Sequence, residues 1–312
     1  MGRGLYEPGL GLSLSLRASQ SFGHGRQVYA VGFGHQKNRE VRSIDDLPWG
    51  VGVTELLADV ADGVATLTLH GPATRNAFTA ELGRELGAAY RRLDEDPGVR
   101  VIVLTGTAPA FCSGAQISMG TETFAAPDNP DFSASPVQPA AFELSTPVIA
   151  AVNGHAIGIG MTLALHADVR ILAEGARYAI PQVRFGVAPD AMAHWTLPRL
   201  VGTAVAAELL LTGANFSARR AVETGLANRC LPADEVLGAA LELARDITIN
   251  VAPESAALTK RLLWDAQMTA MTPAEVATRE TADHLRLMGS RDATEGPRAF
   301  MEGRTPRWRD QG

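Results

Sequence analysis

Two short turns of small residues constrain this chain more than any other feature. Phe111-Cys112-Ser113-Gly114-Ala115 and Asn153-Gly154-His155-Ala156-Ile157-Gly158-Ile159-Gly160 each come after a strand-forming run, Val99 to Thr105 and Pro147 to Val152. A near-continuous apolar run of that length fits a strand buried on both faces, the habit of parallel sheets. Glycine in the turn that follows relaxes the backbone, and a helix start leaves its first N–H groups without intrahelical partners. Either turn alone could serve close packing. Two of them, each behind a strand, point to a pair of backbone donors aimed at one site.

The rest of the chain supports an α/β reading. Val64 to Leu69 is strand-like, between Asp62-Gly63 and Gly71-Pro72. Thr79 is placed to cap an amphipathic helix through Leu82, Leu86, Ala89 and Leu93, and Asp96-Pro97-Gly98 ends it. Asp168 to Ala173 repeats the buried-strand pattern. This β–α–β rhythm predicts parallel pairing. Beyond Gly202 the apolar spacing turns helical, with segments near 203–212, 217–225, 234–250, 253–268 and 272–288. The expected organisation is a flexible extension or docking arm over 1–50, an α/β core over 51–200 and a helical region over 201–312. The Pro-, Ser- and Ala-rich stretch 118–139 reads as a long surface loop.

Composition narrows the partners. A net charge of −6 argues against a general nucleic-acid binder, and Cys112 and Cys230 are too few for a disulfide framework, which fits a reducing cytoplasm. No apolar run is long enough to span a membrane. Gly32-Phe33-Gly34 does not form a dinucleotide fingerprint, no zinc-type Cys/His spacing occurs, and Ser113 lacks a nucleophile elbow. No cofactor or metal is therefore expected.

The chemistry that two converging N–H donors serve is acyl transfer or enolisation of a thioester, where negative charge develops on the carbonyl oxygen. Each such donor is worth roughly 3 kcal/mol in a dry site. Here the residues resemble the enoyl-CoA hydratase/isomerase (crotonase) superfamily. Thr74-Arg75-Asn76-Ala77-Phe78, the two turns, Pro147 to Gly154, Ala167-Asp168-Val169-Arg170-Ile171, Leu210-Leu211-Thr212-Gly213 and Ala299-Phe300-Met301-Glu302 carry the likeness, in order, over about 54 to 310. The resemblance implies a spiral of β–β–α turns, a helical C-terminal trimerisation region, and a homotrimer or homohexamer working on acyl-CoA thioesters, as in fatty acid metabolism. It implies that the oxyanion donors are the N–H groups of Ala115 and Ile159. It also offers Arg75, the adjoining Ala77, and Lys260 as coenzyme A contacts; as residues alone, Arg75 and Lys260 could equally be solvated surface charges.

Thr162 and Gln182 stand where the superfamily's hydratases carry two glutamates, at the same 20-residue separation. Neither side chain can act as a general base at neutral pH. Asp190, eight residues beyond Gln182, falls at the place of the catalytic aspartate in dienoyl-CoA isomerases; locally it could instead cap a helix after Pro189. His194 could orient that carboxylate or act as a second acid/base, or simply pack, and Trp195 beside it would line the pocket with Thr162 and Gln182. The expectation is an enoyl-CoA isomerase, with weak residual hydration, that uses Asp190 as acid/base. Two alternatives stay open: a C–C bond hydrolase or lyase using Asp190 with His194, and a non-catalytic acyl-CoA binder.

Overall fold

The computed structural model describes residues 27–30 (backbone only), 54–116, 124 and 132–308. The chain opens with three antiparallel strands, β1 (Gln27–Ala30), β2 (Glu55–Ala61) and β3 (Val64–His70). Part of the expected N-terminal extension is thus an edge strand; the rest of 1–50 lies outside the described residues. Asp62 and Gly63, at φ 52° and 77°, close the β2–β3 hairpin, the left-handed pair such a tight turn requires. Helix α1 (Ala80–Glu95) follows, and Thr79 Oγ1 caps it by accepting from the Leu82 N–H at 3.1 Å.

The chain then alternates between two sheets. β4 (Val101–Gly106), β6 (Val148–Val152) and β8 (Val169–Ala173) join the large one, while β5 (Ala110–Cys112), β7 (His155–Ile157) and β9 (Tyr178–Ala179) build a small parallel one. Short helix α2 (Ile159–Ala164) lies between β7 and β8. The remaining elements are α3 (Ala193–Thr212), α4 (Ala218–Glu223), β10 (Arg229–Leu231), α5 (Val236–Asn250), α6 (Pro253–Met268), α7 (Pro273–Leu287) and α8 (Arg291–Glu302). The large sheet runs β1-β2-β3-β4-β6-β8-β10 and is parallel from β3 onward. One strand to each sheet per turn is the expected β–β–α spiral.

Burial on both faces explains the apolar runs. In β4, Ile102 and Leu104 face a core shared with Leu82, Leu86 and Leu93 of α1. Val101 and Val103 face the other way, with Ile149, Ala151 and Ile171, onto Val236, Ala240 and Ala244 of α5.

The expected division at residue 200 does not match an element boundary. It falls inside α3, whose only helical break is at Gly202 (φ 74°, ψ 161°). Beyond it, β10 returns to the large sheet beside β8 and α5 covers the sheet's face, so the α/β core extends to Asn250. Three-residue β10 is too short to show a strand period within a helical stretch. By contrast α7 buries none of its residues and α8 only Glu295 and Ala299, which leaves Leu285, Met288, Phe300 and Met301 exposed.

Candidate active site

The first turn is shaped by the segment Gly71 to Phe78. Asn76 is fully buried at φ 57°; its Nδ2 donates to the carbonyls of Thr107 (2.8 Å) and Ala110 (2.7 Å), and its Oδ1 accepts from the Gly71 N–H at 2.9 Å. This pins the segment against β5. The Ser113 N–H then donates to the Arg75 carbonyl at 3.1 Å, the Phe78 N–H to the Gly114 carbonyl at 2.7 Å, and the Gln116 N–H to the Phe78 carbonyl at 3.0 Å. Phe78 and Ala115 form a parallel bridge whose hydrogen bonds are made by the residues flanking Ala115. The N–H of Ala115 itself therefore points away from Phe78.

The second turn abuts the first. Gly158 has φ 55°; its N–H donates to Ala179 (2.9 Å) and its carbonyl accepts from Met161 (2.9 Å) and Thr162 (3.0 Å). Ile159 opens α2, so its N–H has no acceptor within the helix. A Cβ on Gly114 (φ 101°) would sit 3.0 Å from the Ile157 carbonyl oxygen, and one on Gly160 would sit 2.5 Å from that of Cys112. Gly114 thus brings the turns together, and Gly160 seats α2 on β5.

Asp190 is turned toward this junction. Thr162, fully buried on α2, donates its hydroxyl to Asp190 Oδ1 at 2.7 Å. Gln182 opens a 3₁₀ turn over Gln182–Phe185 and lies beside Gly158, where a Cβ would be 3.7 Å from its Nε2. Its buried amide is near enough to favour the charged Asp190, although neither amide atom completes a hydrogen bond. Burial dominates and raises the Asp190 pKa above the usual aspartate value, with Thr162 and Gln182 opposing. Cys112 also faces this carboxylate; burial pushes its thiol up to about 12, so it stays protonated. The helix-cap alternative for Asp190 falls, because α3 starts at Ala193 behind Met192 and the Asp190 side chain caps nothing there.

Ala115, Ile159, Thr162, Gln182 and Asp190 therefore come together. The other expected residues separate. His194 is exposed and makes no hydrogen bond to Asp190 among the described residues. Trp195 packs with Phe142 (5.2 Å between centroids) and Trp264 (6.2 Å), with the Arg199 guanidinium 4.3 Å over its ring. Arg75 is exposed on the strand of backbone that meets Ser113, and Ala77 is buried beside it.

Lys260 corrects the sequence reading. It is buried, and its ammonium bridges Asp168 Oδ2 (2.9 Å) and donates to the Ala141 (2.8 Å) and Thr146 (2.7 Å) carbonyls. Asp168 in turn accepts from the Val148 N–H and from Trp264 Nε1, each at 2.7 Å. All three ammonium hydrogens are committed to the protein, so none is left for a phosphate. His155, inside the second turn, accepts from the Arg177 N–H at 2.9 Å. Among the described residues no group of His, Cys, Asp and Glu is placed to hold a metal ion, and no helix is long and apolar enough to cross a membrane.

Comparison with known proteins fits this geometry. Residues 59–311 match the model of the family described as enoyl-CoA hydratase/isomerase. The chain is 36% identical to carnitinyl-CoA dehydratase of Proteus mirabilis over 75% of its own length and 90% of that protein's. It is 34% identical to enoyl-CoA hydratase ACTT3 of Alternaria alternata, covering 80% of this chain and 84% of the other. Among solved structures, a probable enoyl-CoA hydratase/isomerase from Mycobacterium abscessus is 83% identical, with a TM-score of 0.81 over 83% of this chain and all of that one. Enoyl-CoA hydratase from Mycobacterium tuberculosis H37Rv is 32% identical, with a TM-score of 0.74 over the same shares.

Proposed function

The chain belongs to the enoyl-CoA hydratase/isomerase family, and from that premise we propose that it shifts the double bond of an enoyl-CoA thioester, with Asp190 as its single acid/base. The observation that carries this reading is the placement of one half-buried carboxylate, its pKa raised by desolvation, beside two turns whose outward N–H groups have no acceptor among the described residues. A raised pKa brings a carboxylate nearer the pH at which it can both take and return a proton.

In this reading the thioester oxygen sits against the N–H groups of Ala115 and Ile159. Asp190 removes a proton from C2 of a 3-enoyl thioester, and the electron pair moves through the former double bond as a dienolate. The same carboxyl then returns the proton to C4, leaving the double bond between C2 and C3. Negative charge on the oxygen is greatest in the dienolate, so the donors stabilise that species more than the bound substrate. Thr162 holds the carboxylate and the nearby Gln182 amide favours its charged form, neither competing for the proton. Arg75, exposed beside the first turn, would meet a coenzyme A phosphate in this reading.

A second reading is reversible hydration, favoured by the names of relatives: hydratase and carnitinyl-CoA dehydratase. It would require Asp190 alone to activate water, since Thr162 and Gln182 cannot. Incubation with 3-enoyl-CoA and, separately, 2-enoyl-CoA distinguishes the two by product analysis. Appearance of the conjugated 2-enoyl thioester supports isomerisation. Formation of 3-hydroxyacyl-CoA from 2-enoyl-CoA with no isomerisation of the 3-enoyl substrate contradicts it. A thermal shift with acetyl-CoA tests the thioester class itself, because a ligand bound only by the folded state raises Tm.

A further inference from the structure

We propose that His166 is a positioning residue for Asp190, acting through the backbone of Ala191; this rests on Asp190 being the acid/base. Asp190 is followed by two consecutive non-glycine residues in the left-handed region, Ala191 at φ 45° and Met192 at φ 54°. Such a conformation is strained for a residue that carries a Cβ and persists only where the surroundings hold it. Here the Ala191 N–H donates to the Ala134 carbonyl at 2.9 Å, and the Ala191 carbonyl accepts from His166 Nε2 at 2.7 Å. Ala191 is itself buried, so no solvent is at hand to replace either bond.

His166 is built for that single contact. It follows α2 directly, is 3% exposed, and packs edge-on to the Phe142 ring with centroids 5.2 Å apart. A carbonyl can only accept, so the ring carries a proton on Nε2. Burial lowers the imidazole pKa to about 4, which keeps it neutral and avoids placing a second charge near the carboxylate. One continuous segment thus meets the site at three points. Ile159 contributes an oxyanion N–H, Thr162 holds the Asp190 carboxylate, and His166 holds the next carbonyl along. The segment fixes the distance between the place where charge develops and the group that moves the proton. None of the polar side chains it presents to Asp190 competes for that proton at neutral pH.

Steady-state kinetics of the full chain on 3-enoyl-CoA test this. His166→Leu removes the donor while keeping the volume apolar. Its kcat should fall about 30- to 100-fold, the scale set by misplacing a catalytic group by roughly 1 Å. KM should stay within about threefold, because thioester binding is untouched. His166→Gln, whose amide can reach the same carbonyl, should regain most of the lost kcat. Should the leucine variant not fold, His166→Met supplies a flexible donor-free side chain judged by the same criterion. A donor-free variant with wild-type kcat, or a glutamine variant no better than it at equal Tm, overturns the proposal. Asp190→Asn separates the two claims: full activity there defeats the reading of the site, whereas an inactive Asp190→Asn beside an active His166→Leu defeats only the role of His166.

Discussion

Lys260 gives its three N–H donors to Asp168, Ala141 and Thr146, and so ties α6 to the strands that carry the site. Removing one partner of a buried ion pair strands the other, at a cost of about 3 to 5 kcal/mol. Lys260→Met should therefore lower Tm sharply while leaving coenzyme A affinity unchanged, as measured by calorimetric titration on the folded variant. A weakened affinity at unchanged stability would return Lys260 to the ligand site. Asp190 behaves in the opposite sense. Its folded pKa is raised, so the stability linked to it is fully present below the unfolded aspartate value and is lost as pH rises through the folded one. Asp190→Asn should then have a higher Tm than the parent at pH 7 to 8, and the difference should vanish near pH 3. This is the direction expected when a group is kept for chemistry at the expense of stability.

At the level of elements, what could be read in the sequence depended on length and on where each partner lay. β4, β6 and β8 were legible as apolar runs because α1 and α5 bury opposite faces of the same strands. α1 was legible from Thr79 and its periodicity and α4 to α7 from spacing alone, whereas α8 lies beyond the segments that spacing marks as helical. β5, β7, β9 and β10, at two or three residues each, are too short to show a period, and β2 sets Glu55 and Asp59 among apolar residues with no clean alternation. The two glycine turns were legible because glycine marks them. The structure adds which glycine does what. Gly114 sits at φ 101° with the Ile157 carbonyl oxygen 3.0 Å from where its Cβ would be, so Gly114→Ala strains the first turn. If the Ala115 N–H serves the thioester oxygen, kcat should fall about 100- to 1000-fold, the cost of one lost oxyanion donor, while acetyl-CoA still raises Tm. A mild kcat effect with abolished binding would assign that turn to binding alone. The roles of Asn76 and His166 escaped the sequence because the carbonyls they hold lie 31 and 34 residues away for Asn76 and 25 for His166. The side chains of Thr162 and Gln182 show why pattern alone could not complete the site. Their meaning came from lying against Asp190, not from their spacing.

At the scale of the molecule, α7 and α8 add little to the core among the described residues, α7 burying none of its residues and α8 only Glu295 and Ala299. Leu285, Met288, Phe300 and Met301 are each more than 60% exposed, an arrangement a monomer would not favour in water. The resemblance implies a trimer, which we propose covers these helices, and sedimentation equilibrium can test it. The parent should sediment as a trimer or its multiple. Phe300→Asp with Met301→Asp should shift it to smaller species, whereas a monomeric parent would remove the expectation.

Whether one carboxylate carries the proton is decided by the rate of 3-enoyl-CoA isomerisation by Asp190→Asn against the parent. Asparagine keeps the hydrogen bond from Thr162 and the shape of the site but cannot accept a proton. The account predicts that 2-enoyl-CoA formation falls by at least about 100-fold, as for loss of a general acid/base, with KM little changed. An Asp190→Asn enzyme that isomerises at the parent's rate would contradict it.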